Sequence, residues 1–555
     1  MTQSGGASPA TTSRVLWPRW KNLLTHPLFG GLLLALPVVF VLAPVPIDET
    51  RYLAVAWEML HGGSVLVPHL NGAWYADKPP LLFWLIDLGW LVTGVHAWSA
   101  RLVAVLWSGV CLLMLGRLTL RLGGSQAAAR ASMWLLLGSI YFAIFANAIM
   151  FDVLLTACVL LALHGVLDLE SGRLRRGIAV TGIAIGLGIL AKGPVMLLDF
   201  GFAAIGALWW SERLDGWRWR YMGALALAVL VGIGFALAWA IPAALHGGDD
   251  YARAIFLHQT LDRVAESFAH RRPIWWYFAA LPLMLLPWPL VVRGRWRTLR
   301  EIGRERATRF ALAWIGPTFV VFCLISGKQP HYLLPLLPGV ALLLAVAFDR
   351  GDLRFRPGLY VLAMVLLGVA LVAAPYLVKG QGEWSSLTNL SPAWGALIAA
   401  LAAATWFLRR VGGPALPALA MLALVLLCKL AFVQATGDRY DMRKAGAMVR
   451  AIQDSGQPLV HIGWHHGVYE FAGRLAQPLS TINLDQLGTW THAHPDGLVM
   501  SFGSRFRFAA PPIFEQPFRS TRIGIWKARD ALASGIAPRD KDAKDDPDSL
   551  PSDDD

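Results

Sequence analysis

Two adjacent acids stand where the first apolar run ends. Asp48-Glu49-Thr50-Arg51-Tyr52 follows the run Leu28 to Val45, and Pro68-His69-Leu70-Asn71-Gly72 and Asp77-Lys78-Pro79-Pro80 come after it. Carboxylates at the mouth of a membrane helix are costly to bring near lipid. One placed there can accept a proton from an attacking hydroxyl, orient an acceptor amine or ligate a metal. The bland reading is a pair capping an amphipathic helix over Thr50 to Leu60, since acids favour helix N-termini. A cap needs only one acid, however, and Arg51 and Tyr52 extend the reach of the group. Lys78 precedes two prolines that fix the backbone. Its compact ammonium suits a lipid phosphate; the alternative is a snorkelling anchor.

Further candidates recur along the chain. Asp152 opens an apolar run after Asn147-Ala148-Ile149-Met150-Phe151, as a functional acid or as a plain helix cap. Lys192-Gly193-Pro194 and Ser326-Gly327-Lys328-Gln329-Pro330-His331-Tyr332 form tight turns that offer cations, a base and a phenol. In the loop 245 to 274, His258 and His270 read as metal ligands or, more blandly, as solvated histidines. His461, His465 and His466 cluster around Trp464, with no four-ligand zinc set visible. Spaced cations on one face would hold a phosphate attached to a lipid and stabilise its charge as it leaves. Carboxylates beside them would position or deprotonate an acceptor. Neither a P-loop nor a strand-linked glycine fingerprint is present, so an activated sugar would be lipid-linked rather than nucleotide-linked.

The elements that must carry these residues are apolar helices. The chain has 555 residues, 56% of them hydrophobic and 15% charged, with mean hydropathy +0.51. Apolar runs recur from Leu28 to Val433, which predicts an all-α polytopic membrane protein. About thirteen spans are expected, starting near Leu28, Trp98, Ala127, Phe151, Gly177, Val195, Tyr221, Trp275, Phe310, Tyr332, Pro357, Pro392 and Pro414. Pro80 to Val95, which carries Asp87, reads as a re-entrant or interfacial helix. The net charge of +13 comes from short basic clusters between the runs. They fall on one side of the membrane, as the positive-inside rule demands, and so do not mark a nucleic-acid binder. Every candidate residue then lies on the opposite, extracytoplasmic face. The four cysteines lie in apolar segments and read as small buried hydrophobes.

The expected layout is a cytoplasmic leader at 1–27 and a transmembrane domain at 28–434. A small periplasmic α/β domain at 435–530 and a disordered acidic tail at 531–555 complete it. In that domain Pro458 to Gly463, Gly497 to Phe502 and Arg522 to Trp526 read as strands, and Met442 to Gln453 as a helix. The first run lacks a clear cleavage site and reads as an uncleaved helix.

At these residues the chain resembles the GT-C membrane glycosyltransferases, most of all the lipid A aminoarabinose transferase branch and more distantly the protein O-mannosyltransferases. The matching stretches are those around Asp48, Asn71 and Lys78, then Ser99-Ala100-Arg101-Leu102, Phe151-Asp152, Leu190-Ala191-Lys192-Gly193-Pro194 and Gly327-Lys328-Gln329-Pro330-His331-Tyr332-Leu333-Leu334-Pro335. They span residues 40 to 340. The resemblance implies an inverting transfer of a sugar, such as 4-amino-4-deoxy-L-arabinose, from undecaprenyl phosphate. The acceptor would be lipid A or another glycolipid or protein, reached from the periplasmic face of the inner membrane. Asp48 and Asp152, with Glu49, would be the catalytic acids. Arg51, Tyr52, Lys78, Arg101, Lys192, Arg263, Lys328, His331 and Tyr332 would hold substrate. A divalent metal, if bound, would involve Asp77 and His258. The chain departs from that branch at Asp77, where Glu is usual, and at Gln259-Thr260, where Glu-His is usual. A protein O-glycosyltransferase and a lipid-linked-sugar flippase are the rival readings; charges gathered at helix ends rather than at the midplane disfavour the flippase.

Overall fold

The computed structural model describes residues 26–62, 64–256, 271–294, 305–378, 383–411, 413–502 and 507–536. Helix α1 (Pro27–Val41) leads to the amphipathic α2 (Asp48–His61), a hairpin of β1 (His69–Leu70) and β2 (Ala73–Trp74), and α3 (Leu81–Thr93). The bundle continues with α4 (Ala97–Arg121), α5 (Gln126–Leu137), α6 (Ile140–Phe145), α7 (Phe151–Glu170), α8 (Leu174–Lys192), α9 (Val195–Ile205) and α10 (Arg218–Arg253). It closes with α11 (Trp276–Met284), α12 (Arg306–Leu324), a 3-10 turn (Pro330–Leu336) running into α13 (Leu337–Asp349), α14 (Gly358–Leu377), α15 (Pro392–Phe407) and α16 (Ala415–Thr436). A short ladder of β3 (Val292–Gly294) with β4 (Leu353–Phe355) ties two loops together.

Each expected span start falls within four residues of a helix start. Among the described residues, nine helices are long and apolar enough to cross a membrane, not about thirteen. The other four positions hold shorter or broken apolar helices: α1, the pair α5–α6, α9 and α11. The break between α5 and α6 has a local cause. The Trp288 indole donates to the Leu135 carbonyl at 2.7 Å and the Ser139 hydroxyl does so at 2.8 Å. The Ile140 N–H leaves the helix for the Leu286 carbonyl at 2.7 Å. The backbone groups that would continue the helix are thus spent on a neighbouring segment.

Helix α7 is the centre of the bundle, with 89% of its apolar window buried, whereas α14 and α15 keep only 22% buried and leave the rest for lipid. The C-terminal end of α7 gathers basic side chains from several loops. Asp168 receives Arg121 at 2.6 Å, Arg173 at 2.9 Å and Arg176 at 3.1 Å, and Glu170 receives Arg306 at 2.9 Å and Arg213 at 3.6 Å. Its outer end begins with Phe151-Asp152.

After α16 the chain forms α17 (Arg443–Asp454) and a five-stranded sheet of β5 (Leu459–Ile462), β6 (Ser480–Ile482), β7 (Leu498–Phe502), β8 (Phe514–Phe518) and β9 (Thr521–Lys527). The spatial order is β6-β5-β7-β9-β8. Strands β5, β6 and β7 are parallel and β8 and β9 antiparallel. β5 is buried along its whole length, as an inner parallel strand must be. The expected segments became α17, β5, β7 and β9. β6 and β8 escaped the sequence reading because one is three residues long and the other carries Glu515 and Pro517. A last helix, α18 (Ala528–Ser534), buries Ala528 and Ala531, so ordered structure passes residue 530 into the segment expected to be a disordered tail.

Candidate functional site

Helix α2 fixes the first group. Asp48 lies on its exposed side, with the side chain 52% exposed. Arg51, one turn on, stands 3.5 Å from the Asp48 carboxylate, and the Tyr52 hydroxyl reaches the same oxygen at 3.5 Å. The Tyr52 ring packs edge-on against Phe151 at 4.9 Å, so the buried phenol orients Asp48 from behind. Burial works against the Arg51 charge, but Tyr75, Asp48, Tyr52 and Asp77 around it outweigh that and hold its pKa above the ordinary value. The hairpin β1–β2 delivers Tyr75, Asp77 and Lys78 to this place. Its turn residues Asn71 and Gly72 both have positive φ, 53° and 77°, the geometry that an Asn-Gly turn favours. Asp77 is exposed and Lys78 half-buried.

The second group comes from the outer ends of the long helices. Asp152, in the first turn of α7, is 1% exposed and bonds the Lys192 ammonium at the end of α8 at 2.5 Å. Lys192 also stands 4.9 Å over the Tyr332 ring. His331, on the 3-10 turn, lies against Tyr332 and Phe145. It is within Coulombic reach of Asp152, Lys192, Asp48 and Lys78, which joins the two groups into one site. Five separate elements therefore bring together Asp48, Arg51, Tyr52, Asp77, Lys78, Asp152, Lys192, His331 and Tyr332. The three cations Arg51, Lys78 and Lys192 face the three acids Asp48, Asp77 and Asp152, and the cations stand where a phosphate between α2, the hairpin and α8 could pair with them.

Three expected residues belong elsewhere. Glu49 is 6% exposed, and both its oxygens are engaged: one by Arg101 at 2.5 Å and the Val45 N–H at 2.7 Å, the other by the Ile149 N–H at 2.9 Å. It cannot serve as a catalytic acid without breaking that set. Arg101, wholly buried, adds a bond to the Ala43 carbonyl at 3.0 Å and so clamps backbone rather than phosphate. Lys328 is 3% exposed and donates to the Arg272 carbonyl at 3.1 Å and to the Ile325 carbonyl. It pins the segment that enters α11. His258 and Arg263 lie outside the described residues. No group of three or more His, Cys, Asp or Glu side chains converges as metal ligands among the described residues. Asp77 is part of the charge set around Arg51 instead. His461 and His465 are 0% exposed and pack in the interior of the C-terminal domain.

Sequence reasoning passed over several partners. Glu58 accepts the N–H groups of Asn71 and Gly72 at 2.5 and 3.0 Å. Lys429 in α16 donates to the Ile144 carbonyl at 3.0 Å and to Asn147 Oδ1 at 2.5 Å, just ahead of Asp152. A lone lysine inside an apolar run was the available signal; Glu58 gave none, since its role is set by a hairpin far from it in sequence.

A family model for dolichyl-phosphate-mannose-protein mannosyltransferase matches residues 77–239. An undecaprenyl phosphate-alpha-4-amino-4-deoxy-L-arabinose arabinosyl transferase of Pseudomonas aeruginosa (strain LESB58) is 31% identical over 398 residues, covering 68% of this chain and 70% of that protein. A homologue of the same description from Pseudomonas fluorescens (strain Pf0-1) is 32% identical over 418 residues, 72% of each. Among solved structures, ArnT from Cupriavidus metallidurans bound to undecaprenyl phosphate superposes with TM-score 0.70 at 19% identity, covering 94% of this chain and 100% of that one. Its apo form gives 0.69.

Proposed function

This chain belongs to the family of undecaprenyl phosphate-aminoarabinose arabinosyl transferases, and from that premise we propose how its own residues carry the reaction. It is a multi-pass bacterial membrane glycosyltransferase of GT-C fold that uses a lipid-phosphate sugar donor. The donor is an undecaprenyl phosphate sugar, the acceptor is a phosphate of lipid A, and the site faces the periplasm. The bond from the acceptor oxygen to the anomeric carbon forms while the bond to the donor phosphate breaks, in a single displacement with inversion. The leaving undecaprenyl phosphate gains one negative charge. Arg51, Lys78 and Lys192, the last oriented by Asp152, are placed to hold that charge, so their attraction grows toward the transition state. A phosphate acceptor is already anionic and Asp48 then only orients it; a hydroxyl acceptor would hand its proton to Asp48. His331 and Tyr332 wall the site behind Lys192.

The convergence of Asp48, Arg51, Lys78, Asp152, Lys192 and His331 from five elements supports this reading most strongly. Mass spectrometry of lipid A from cells with wild-type protein, Asp48→Asn or no protein tests it. An added aminoarabinose mass present only with wild type is the expected result, with transfer by Asp48→Asn reduced by about 10²-fold through lost orientation of the acceptor. Near-normal modification by that variant would overturn the role of Asp48. A different sugar mass would move the substrate and keep the chemistry.

A further inference from the structure

We infer that the C-terminal domain braces the hairpin that carries Asp77 and Lys78, and that Asn71 is the positioning residue through which it does so. This rests on the function proposed above. The hairpin is too small to hold itself: two residues pair with two, His69 with Trp74 and Leu70 with Ala73, and isolated hairpins are marginal even when longer. Its tip is gripped from two sides. From α2, Glu58 takes both turn N–H groups. From the C-terminal domain, Leu479 meets the Asn71 carboxamide with both its backbone groups. The amide Nδ2 donates to the Leu479 carbonyl at 2.9 Å, and the Leu479 N–H donates to Oδ1 at 2.7 Å. A carboxamide that spends both ends on one residue fixes direction as well as position. Beside it, a Cβ on Gly72 would come within 2.7 Å of Pro478 Cγ, so turn and domain touch backbone to side chain.

The grip is transmitted over a short path. The Tyr75 N–H closes the base of the hairpin on the Pro68 carbonyl at 2.8 Å, and Asp77 and Lys78 follow directly. Glu58 stands on the same helix as Asp48 and Arg51. Leu479, the hairpin and α2 therefore form one frame with acid and cations on it. Gly467 of the domain also lies against the Leu70 side chain, and further contacts of the joint lie away from the hairpin. The Trp57 indole donates to the Leu475 carbonyl at 2.9 Å, Arg474 donates to the Val95 carbonyl at 2.9 Å, and Trp90 stacks on Phe471 at 5.4 Å. Those contacts dock the domain, whereas the Asn71 side chain lies in the turn that leads to Lys78 and makes its two bonds to Leu479 there.

Asn71→Gly separates the two roles, because glycine keeps the positive φ of the turn and loses only the bonds to Leu479. The KM for an undecaprenyl phosphate sugar, measured on purified full-length protein in detergent, does not depend on the fraction of active enzyme. The expected result is a donor KM raised about tenfold with the acceptor KM unchanged. Amide hydrogen exchange over 71–78 should speed up in the same variant. Trp57→Phe, which loosens docking but not the hairpin, should leave donor KM within about twofold. Unchanged donor KM and unchanged exchange in Asn71→Gly would overturn the inference, as would an equal KM rise in Trp57→Phe. Failure of the wild-type protein to transfer from any lipid-linked sugar would instead overturn the proposed function, and the exchange experiment would still decide the brace.

Discussion

Asp48 and Glu49 are neighbours in sequence with opposite duties. Successive helical residues point about 100° apart, so one carboxylate opens to the site while the other turns inward onto Arg101 and the Ile149 N–H. Lys78 and Lys328 differ in burial: Lys78 is half-buried, with its ammonium 3.3 Å from the Asp77 carbonyl, and Lys328 is almost enclosed. Lys328 spends its ammonium on the carbonyls of Arg272 and Ile325 under 3% exposure. Its truncation is therefore a stability change. Lys328→Ala should leave donor KM within about twofold while lowering the thermal unfolding midpoint, since two buried carbonyls lose a charged donor worth about 1.5–3 kcal/mol. Initial rates and a melting curve on the same preparation distinguish this from the phosphate role that its sequence context suggests. A large KM rise with an unchanged midpoint would restore that role.

At the scale of elements, the segment between α6 and α7 sets the position of Asp152 and is held by side chains from three helices. Glu49 of α2 takes the Ile149 N–H, Ser108 of α4 donates to the Ala146 carbonyl at 3.1 Å, and Lys429 of α16 holds Ile144 and Asn147. Arg101 neutralises Glu49 at the centre of this clamp. Arg101→Met leaves the Glu49 carboxylate buried and unpaired, and breaking a buried pair from one side costs about 3–5 kcal/mol. The double variant Arg101→Met with Glu49→Gln should recover part of that loss. Thermal unfolding of wild type, both single variants and the double variant gives the coupling; strict additivity would mean that the pair does not act as a clamp.

The molecule as a whole hangs on α7, with arginine-bound acids at its inner end and Asp152 at its outer end, and on the domain docked over α2. That domain carries its own buried pair. The Gly467 N–H points at His465 Nδ1 at 3.4 Å, and Glu470 Oε1 stands 3.2 Å from the same nitrogen. Burial pushes the Glu470 pKa up to about 7 and holds His465 down to about 3. A raised acid stabilises the fold while protonated: fully below its unfolded value near 4.5, and less and less as pH rises through about 7. A depressed histidine does the reverse, losing stability as pH falls below its ordinary value of 6.5. Glu470→Gln removes the first effect alone. Its unfolding free energy relative to wild type should climb from about pH 5 to about pH 8, by up to about 3 kcal/mol. A difference that stays flat over that range would mean Glu470 does not hold its proton in the folded domain.

The architecture was legible in the sequence wherever a run of apolar residues was long enough to need lipid, because that signal is local. The thirteen helix starts came from runs of this kind, and four elements of the C-terminal domain came from equally local strand and helix patterning. The acids and cations of the site were legible as well, since charge beside an apolar run is conspicuous. What each one does was not. Glu49, Arg101 and Lys328 look like Asp48, Arg51 and Lys78 on paper, and only packing decides which are exposed to a substrate and which are spent on backbone. The partners that decide it, Ile149, Ala43, Arg272 and Leu479, are distant in sequence and offer plain carbonyl and N–H groups that every residue type has. Tertiary structure alone determines where those groups point, and so which charges remain for chemistry.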